Sequence, residues 1–244
     1  MKNLALLLIV AALVVSCKKD NIKSTTTIMP LIKSRIVTLP DGSVHDSVVY
    51  EYDAENKLIG GKTKNGGSTV AEYNASTMTY KVYDNKQVLY RTETYLINSQ
   101  GWTSESSYVV VSENINDNQK FFYDEQGHNI KSVDVYFGNI DTSFNSFIGD
   151  NVTTTISRLW SNSTLSVDTT QFEYYTDKLT TIELNNMGFP TIGKPNKNLI
   201  KKKVYGNVAT DYTYEFDSQN RVIKETVIYN GTLSYYVDFT YVDK

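Results

Sequence analysis

One cysteine, two histidines and four prolines are all that this 244-residue chain holds of those types. A lone thiol cannot form an intrachain disulfide, and a tetrahedral metal set has too few ligands to draw on. His45, in Asp41-Gly42-Ser43-Val44-His45-Asp46, and His128, after Gly127, read as exposed turn or strand residues. Asn116-Asp117-Asn118 lacks the central glycine and terminal glutamate of an EF-hand, and Asp124 with Glu125 are turn neighbours that project differently. No catalytic residue, metal or cofactor is therefore expected, and the chain does not read as an enzyme. A formal charge of −3 gives no field for nucleic acid. No segment of helical length shows 3.6 periodicity, and Asn, Gly, Ser and Thr would interrupt one.

What is present starts at the amino terminus. Met1-Lys2-Asn3 is a short positive segment, and the twelve residues Leu4 to Val15 are uninterruptedly apolar, the pattern of a secretory signal and too short to span a bilayer as a helix. Its end, Leu13-Val14-Val15-Ser16-Cys17, resembles a bacterial lipobox. That resemblance implies acylation of the Cys17 thiol, cleavage before it, and a lipoprotein held by several acyl chains. Lys18 in the second mature position implies delivery to the outer membrane, on its periplasmic face or at the cell surface. The expected organisation is a signal over 1–16, lipidated Cys17 and a flexible tether over 17–27, and a single β domain over 28–244. Removal of the signal leaves 228 residues with 23 basic against 27 acidic side chains.

Nineteen tyrosines suit half-buried strands, where a ring packs on the pleat and its hydroxyl meets water. A unit recurs five times: an alternating segment, Asp or Asn, two residues, then Gly or Asn. The copies are Asp53 to Asn56, Asn98 to Gly101, Asp124 to Gly127, Asn185 to Gly188 and Asp217 to Asn220. Asp or Asn caps a type I turn and the fourth residue takes positive φ, so each copy predicts a bulged hairpin. Asn230-Gly231 predicts a tight type I′ hairpin, placing Ile228 opposite Leu233, Thr226 opposite Tyr235, Lys224 opposite Val237 and Val222 opposite Phe239, with this set facing the core. A three-stranded meander over Asp211 to Val242 follows. Phe189 to Asn198, with Pro190, Gly193 and Pro195, reads as a long ordered loop.

The copies at Tyr52, Tyr123 and Phe216 resemble the YD repeats of Rhs-type shell proteins. The lipobox, the loop Gly193-Lys194-Pro195-Asn196-Lys197-Asn198-Leu199 and the closing Tyr212-Thr213-Tyr214-Glu215-Phe216-Asp217 are similar to an uncharacterised Bacteroidota lipoprotein family. These motifs imply fold and address and carry no catalytic residue. Lys194, Lys197, Lys201, Lys202 and Lys203 read as a solvated loop with edge-strand protection. Asp46-Ser47-Val48 and Asp168-Thr169-Thr170 look like the O-glycosylation triplet of periplasmic Bacteroidota proteins. The expected fold is an all-β antiparallel meander of bulged hairpins forming an open or half barrel, with a two-sheet sandwich as the alternative. Trp102, Trp160 and the pairs Tyr174-Tyr175 and Tyr235-Tyr236 are candidate ligand platforms. The expected function is a monomeric, membrane-anchored binding module for a glycan, a lipid or an envelope protein, with a scaffold lipoprotein or a hydrolase with dispersed carboxylates as alternatives.

Overall fold

A computed structural model of the chain describes residues 30–113, 115–161 and 163–242; Cys17, the signal and the tether lie outside the described residues. Sixteen strands follow one another: β1 (Ile32–Thr38), β2 (Val44–Tyr52), β3 (Leu58–Thr63), β4 (Ser68–Tyr73), β5 (Thr77–Tyr83), β6 (Leu89–Ile97), β7 (Thr103–Val110), β8 (Ile115–Tyr123), β9 (Asn129–Tyr136), β10 (Asn139–Ile148), β11 (Asn151–Ser161), β12 (Thr164–Leu179), β13 (Asn198–Tyr205), β14 (Val208–Phe216), β15 (Val222–Tyr229) and β16 (Thr232–Tyr241). Each strand pairs antiparallel with its sequence neighbours, and β1 closes on β16 through partners such as Val37 with Val237. The fold is thus a closed barrel, and neither an open or half barrel nor a sandwich. Closure leaves no unpaired edge among the described strands, which a local reading of hairpins cannot foresee because it joins residues about two hundred positions apart.

In an up-and-down barrel consecutive turns lie at opposite ends. All four hairpins built on an Asp or Asn with Gly or Asn three residues on fall at one end, between β2 and β3, β6 and β7, β8 and β9, and β14 and β15. Asp53, Asn98, Asp124 and Asp217 each accept two backbone N–H bonds through Oδ1, at 2.8–3.0 Å. Asn56, Gly101, Gly127 and Asn220 have φ of 65°, 84°, 89° and 58°. The remaining copy, Asn185 to Gly188, is not a hairpin. Gly188 has φ of 81°, but it ends a short 3₁₀ turn (Leu184–Met187) inside the long connection between β12 and β13.

That connection, residues 180–197, runs across the same end of the barrel. Its Asn186 donates to the Pro30 carbonyl at 3.0 Å, beside β1, and its Met187 sulfur accepts from the Tyr50 hydroxyl on β2 at 3.3 Å. Phe189 packs edge-on against Tyr80 of β5 and Tyr95 of β6, with centroids 4.8 and 6.2 Å away. The Thr191 carbonyl then accepts from Thr103 of β7, and Lys194 donates to the Gly127 carbonyl. Finally Asn196 accepts from Val152 of β11 at 2.9 Å. The segment therefore touches wall after wall and closes this end. Beneath it Ile32, Leu58, Met78, Leu199 and Val222 are at most 2% exposed and form the core with Tyr50, Tyr80, Phe239 and Tyr241.

Five tyrosine hydroxyls inside bond to main-chain carbonyls. Tyr52 donates to the Ile32 carbonyl, Tyr175 to Tyr212, Tyr214 to Ile200 and Tyr241 to Val222, at 2.6–3.0 Å, and Tyr123 donates to Thr103. An aromatic interior is satisfied this way because each ring fills space while its hydroxyl donates to a main-chain carbonyl. Burial pushes the Tyr50 hydroxyl up to about 12.

The Asn230-Gly231 turn joins β15 to β16 with Ile228 opposite Leu233, but the register slips by one between Val227 and Ile228. Beyond that bulge Val227 faces Tyr235, Thr226 faces Tyr236 and Lys224 faces Asp238. Val222, Val227, Val237 and Phe239 are inside, whereas Thr226 and Lys224, expected inside with the first set, share the opposite face. A turn motif sets register only as far as the first bulge.

Candidate functional site

The opposite end has no crossing segment among the described residues. Two cavities open there. One, of about 310 Å³, is lined by His45, Asp46, Thr69, Tyr80 and Arg91 among others; the second, of about 550 Å³, shares His45 and Asp46 and adds Arg35 and Tyr235. Register places these groups on the inner face: Arg35 faces Val48 and Phe239, Val37 faces Asp46, and Tyr80 faces Glu93. Arg35 approaches Asp46 at 3.4 Å. Arg91 bonds Glu93 at 3.0 Å through one terminal nitrogen, while its Nε is buried with no hydrogen-bond partner. Glu93 also accepts from Tyr95. Burial holds the Glu225 carboxyl above its ordinary range, an effect opposed by Arg35 and Tyr214. The mouth thus pairs two guanidinium groups with carboxylates and hydroxyls around a space that suits a small polar ligand.

Further round the inner wall stand Asp117, Asp134 and Asp141, with Asp134 directly opposite Asp141. Burial, then the neighbouring carboxyls of Asp117 and Asp141, push Asp134 up to about 7. Ser143 and Ser157 bond each other at 2.9 Å beyond them. No group of three or more His, Cys, Asp or Glu among the described residues has the arrangement of a metal site.

Sequence reading and structure differ at several candidate positions. His45 is exposed at the mouth, but His128 is buried: its ring stacks on Phe147 at 4.5 Å, with Nδ1 2.9 Å from Asp124 and Nε2 3.2 Å from Asp150. Lys194 of the crossing segment joins the same Asp150 at 2.6 Å, so this cluster fastens the segment to the wall. Asp124 is a cap and an anchor for His128, and it does not converge with Glu125, which is exposed. Trp102 packs on Gly127, where an added Cβ would lie 2.3 Å from the ring, and tilts against Tyr123. Tyr175 faces the packed interior, Tyr235 is partly buried against the core and lines the second cavity of the mouth, and Tyr174 bonds Asn196 at 3.1 Å. Tyr236 lies on the outside beneath Lys224, 4.5 Å away. Trp160 alone of the two tryptophans is a wide exposed platform, on the outer surface. The Lys201 to Lys203 run is on β13, paired on both sides, so it guards no edge. Arg35, Arg91 and Glu93 carry no signal in the sequence because isolated charges in alternating strands look like solvent-facing residues; the inside-outside assignment needs the closed register.

The outer face is charged. Glu72 meets Lys81 at 2.7 Å, Glu105 meets Lys120 at 3.2 Å and Lys202 meets Asp211 at 4.0 Å, each across a strand pair. Glu51, Glu173 and Glu215 are exposed on the same side.

No protein-family model and no curated protein matches the chain. Among solved structures it is similar to a porin-like protein from Bacteroides uniformis ATCC 8492, at 13% identity and a TM-score of 0.59, covering 88% of this chain and 98% of that one. It is also similar to a porin-like protein from Bacteroides vulgatus ATCC 8482, at 14% identity and a TM-score of 0.63, covering 88% of this chain and all of that one. At these identities the likeness is one of fold.

Proposed function

We propose that this protein is a lipid-anchored, non-catalytic barrel of the cell envelope that stands in water beside the outer membrane and binds a small hydroxylated ligand, such as a saccharide, in its open mouth. The observation that carries the reading is the charge on the outside of the wall. A barrel that crosses a membrane needs an apolar outward band about 25 Å tall, with aromatic girdles at its edges. Here Glu51, Glu72, Lys81, Glu105, Lys120, Glu173, Lys202 and Asp211 interrupt any such band, since burying even paired charges against hydrocarbon is strongly unfavourable. The N-terminal lipid on Cys17 would hold the barrel at the membrane without passing it through. Arg91, with its unsatisfied Nε, and the Thr69 and Tyr80 hydroxyls supply donors and acceptors for ligand hydroxyls at the mouth.

Metabolic labelling with a fatty-acid probe, followed by fractionation, tests this. The wild type should be labelled and membrane-bound, and Cys17→Ala should lose the label and move to the soluble fraction. Label that persists in Cys17→Ala would overturn the anchor; an unlabelled protein still embedded in membrane would overturn the water-exposed barrel. On a glycan array, binding should be lost in Arg91→Ala.

A further inference from the structure

The outer wall is not uniform. Over β9–β12 the outward positions include Lys131, Val133, Val135, Ile140, Phe144, Ile156, Arg158, Trp160, Leu165 and Val167. Val135, Ile140, Trp160 and Leu165 stand directly side by side, one per strand, forming a single apolar row near the open rim. At the tip between β9 and β10 Phe137 is 71% exposed with φ of 47°, a left-handed conformation that disfavours a bulky side chain. Folding alone gives no reason to hold a phenyl ring out there.

The charge on this wall is one-sided. Its acids, Asp134, Asp141 and Asp168, take inner-face positions, and no carboxylate appears among its outward residues until Glu173 near the far end of β12. The two cations lie over rings, Arg158 5.2 Å and Lys131 5.8 Å from the Phe144 centroid, with Lys131 also 5.1 Å from Phe122. On other walls Lys81 meets Glu72 and Lys120 meets Glu105. Apolar and aromatic side chains with unopposed cations fit a lipid interface, where rings sit at the headgroup level and cations meet phosphates.

We infer that the β9–β12 wall docks side-on onto a lipid surface bearing anionic phosphate headgroups. This rests on the reading of the protein as a water-exposed, anchored barrel. The chain enters β1 on the side of the barrel opposite β9, so the anchor must cross the closed end, a width of about 30 Å for sixteen tilted strands about 4.8 Å apart; the thirteen residues from Cys17 to Met29 reach at most about 45 Å when extended, enough to cross it.

The test uses residues 18–244, which contain the whole closed barrel and lack the acylated thiol. Flotation with vesicles of phosphatidylethanolamine and phosphatidylglycerol should carry the protein upward, with tryptophan emission shifted to the blue; phosphatidylcholine vesicles should carry much less. Phe137→Ser with Trp160→Ser should cut the floated fraction at least tenfold, Lys131→Gln with Arg158→Gln should abolish the headgroup preference, and Val88→Ser, exposed in the turn between β5 and β6, should change neither. Circular dichroism shows whether each variant keeps its sheet. Absence of flotation, equal flotation of the Phe137/Trp160 variant, or a dimer in light scattering that these substitutions dissolve would each overturn lipid docking. Acylation of Cys17 is read separately, so failure here leaves the anchored-barrel reading to its own experiment.

Discussion

The two ends of this barrel are made from the same alternating strands and differ in what fills them. At the closed end the inner face is Ile32, Tyr50, Leu58, Met78, Val222 and Tyr241 beneath the crossing segment, and the Tyr52 and Tyr241 hydroxyls are spent on carbonyls. Towards the open end the same inner face carries Arg35, Asp46, Arg91 and Glu93 around the two open cavities, with Asp134 further round the wall. Stability should therefore concentrate at one end and chemistry at the other, since a group poised for a ligand is one that packing has not satisfied.

Truncation gives the largest contrast. Leu58→Ala removes a fully buried side chain at the closed end and should lower unfolding free energy by about 3 kcal/mol, whereas Leu165→Ala, exposed on the outer wall, should stay within about 0.5 kcal/mol. Urea denaturation measures both. Equal effects would mean that the core is not where the packing places it.

Glycine substitutions come next. Gly127→Ala adds strain at φ of 89° and drives a methyl into the Trp102 ring, and should cost at least about 2 kcal/mol. Gly231→Ala at the open end has φ of 76° with nothing near the added carbon, so only the backbone term remains, about 1 kcal/mol. The difference between the two melting shifts reads the crowding alone.

The pH dependence sharpens the same comparison with smaller effects. Burial raises Glu183, inside the crossing segment, above its usual 4.5, so the native state keeps that proton longer than the unfolded chain does. Stability from this group falls as pH climbs from the unfolded value through the raised native one, and Glu183→Gln should flatten that slope and raise stability at neutral pH. Asp134, towards the open end, acts in the window between 3.8 and about 7, with the same sign, and Asp134→Asn should remove its share. Denaturation midpoints across that range check both. Smallest of all, Glu105→Ala breaks an exposed pair with Lys120 and should leave the midpoint unchanged within error.

Local chemistry was legible in the sequence. Asp53, Asn98, Asp124 and Asp217 announce their turns, because a side chain that caps two backbone N–H groups does so whatever surrounds it. The same unit is built at Asp84, whose Oδ1 accepts from Lys86 and Val88, but its left-handed residue is Gln87, with φ of 61°, which no preference would flag. Asn185 to Gly188 carried the signal and became part of the crossing segment, since a turn motif says nothing about what its flanks pair with. Closure of β1 on β16, the slip at Val227, the burial of His128 and the gathering of Arg35, Arg91 and Glu93 on one inner face are long-range facts. They depend on register summed around sixteen strands.

The proposed state of this closed barrel is one that stands in water. The most direct measurement is the behaviour of residues 18–244 purified in buffer without detergent, by light scattering and circular dichroism on heating. A monomer with β-sheet ellipticity that unfolds in one cooperative transition is the result this account predicts. Aggregation that only detergent or lipid relieves, with the sheet forming only in their presence, would contradict it.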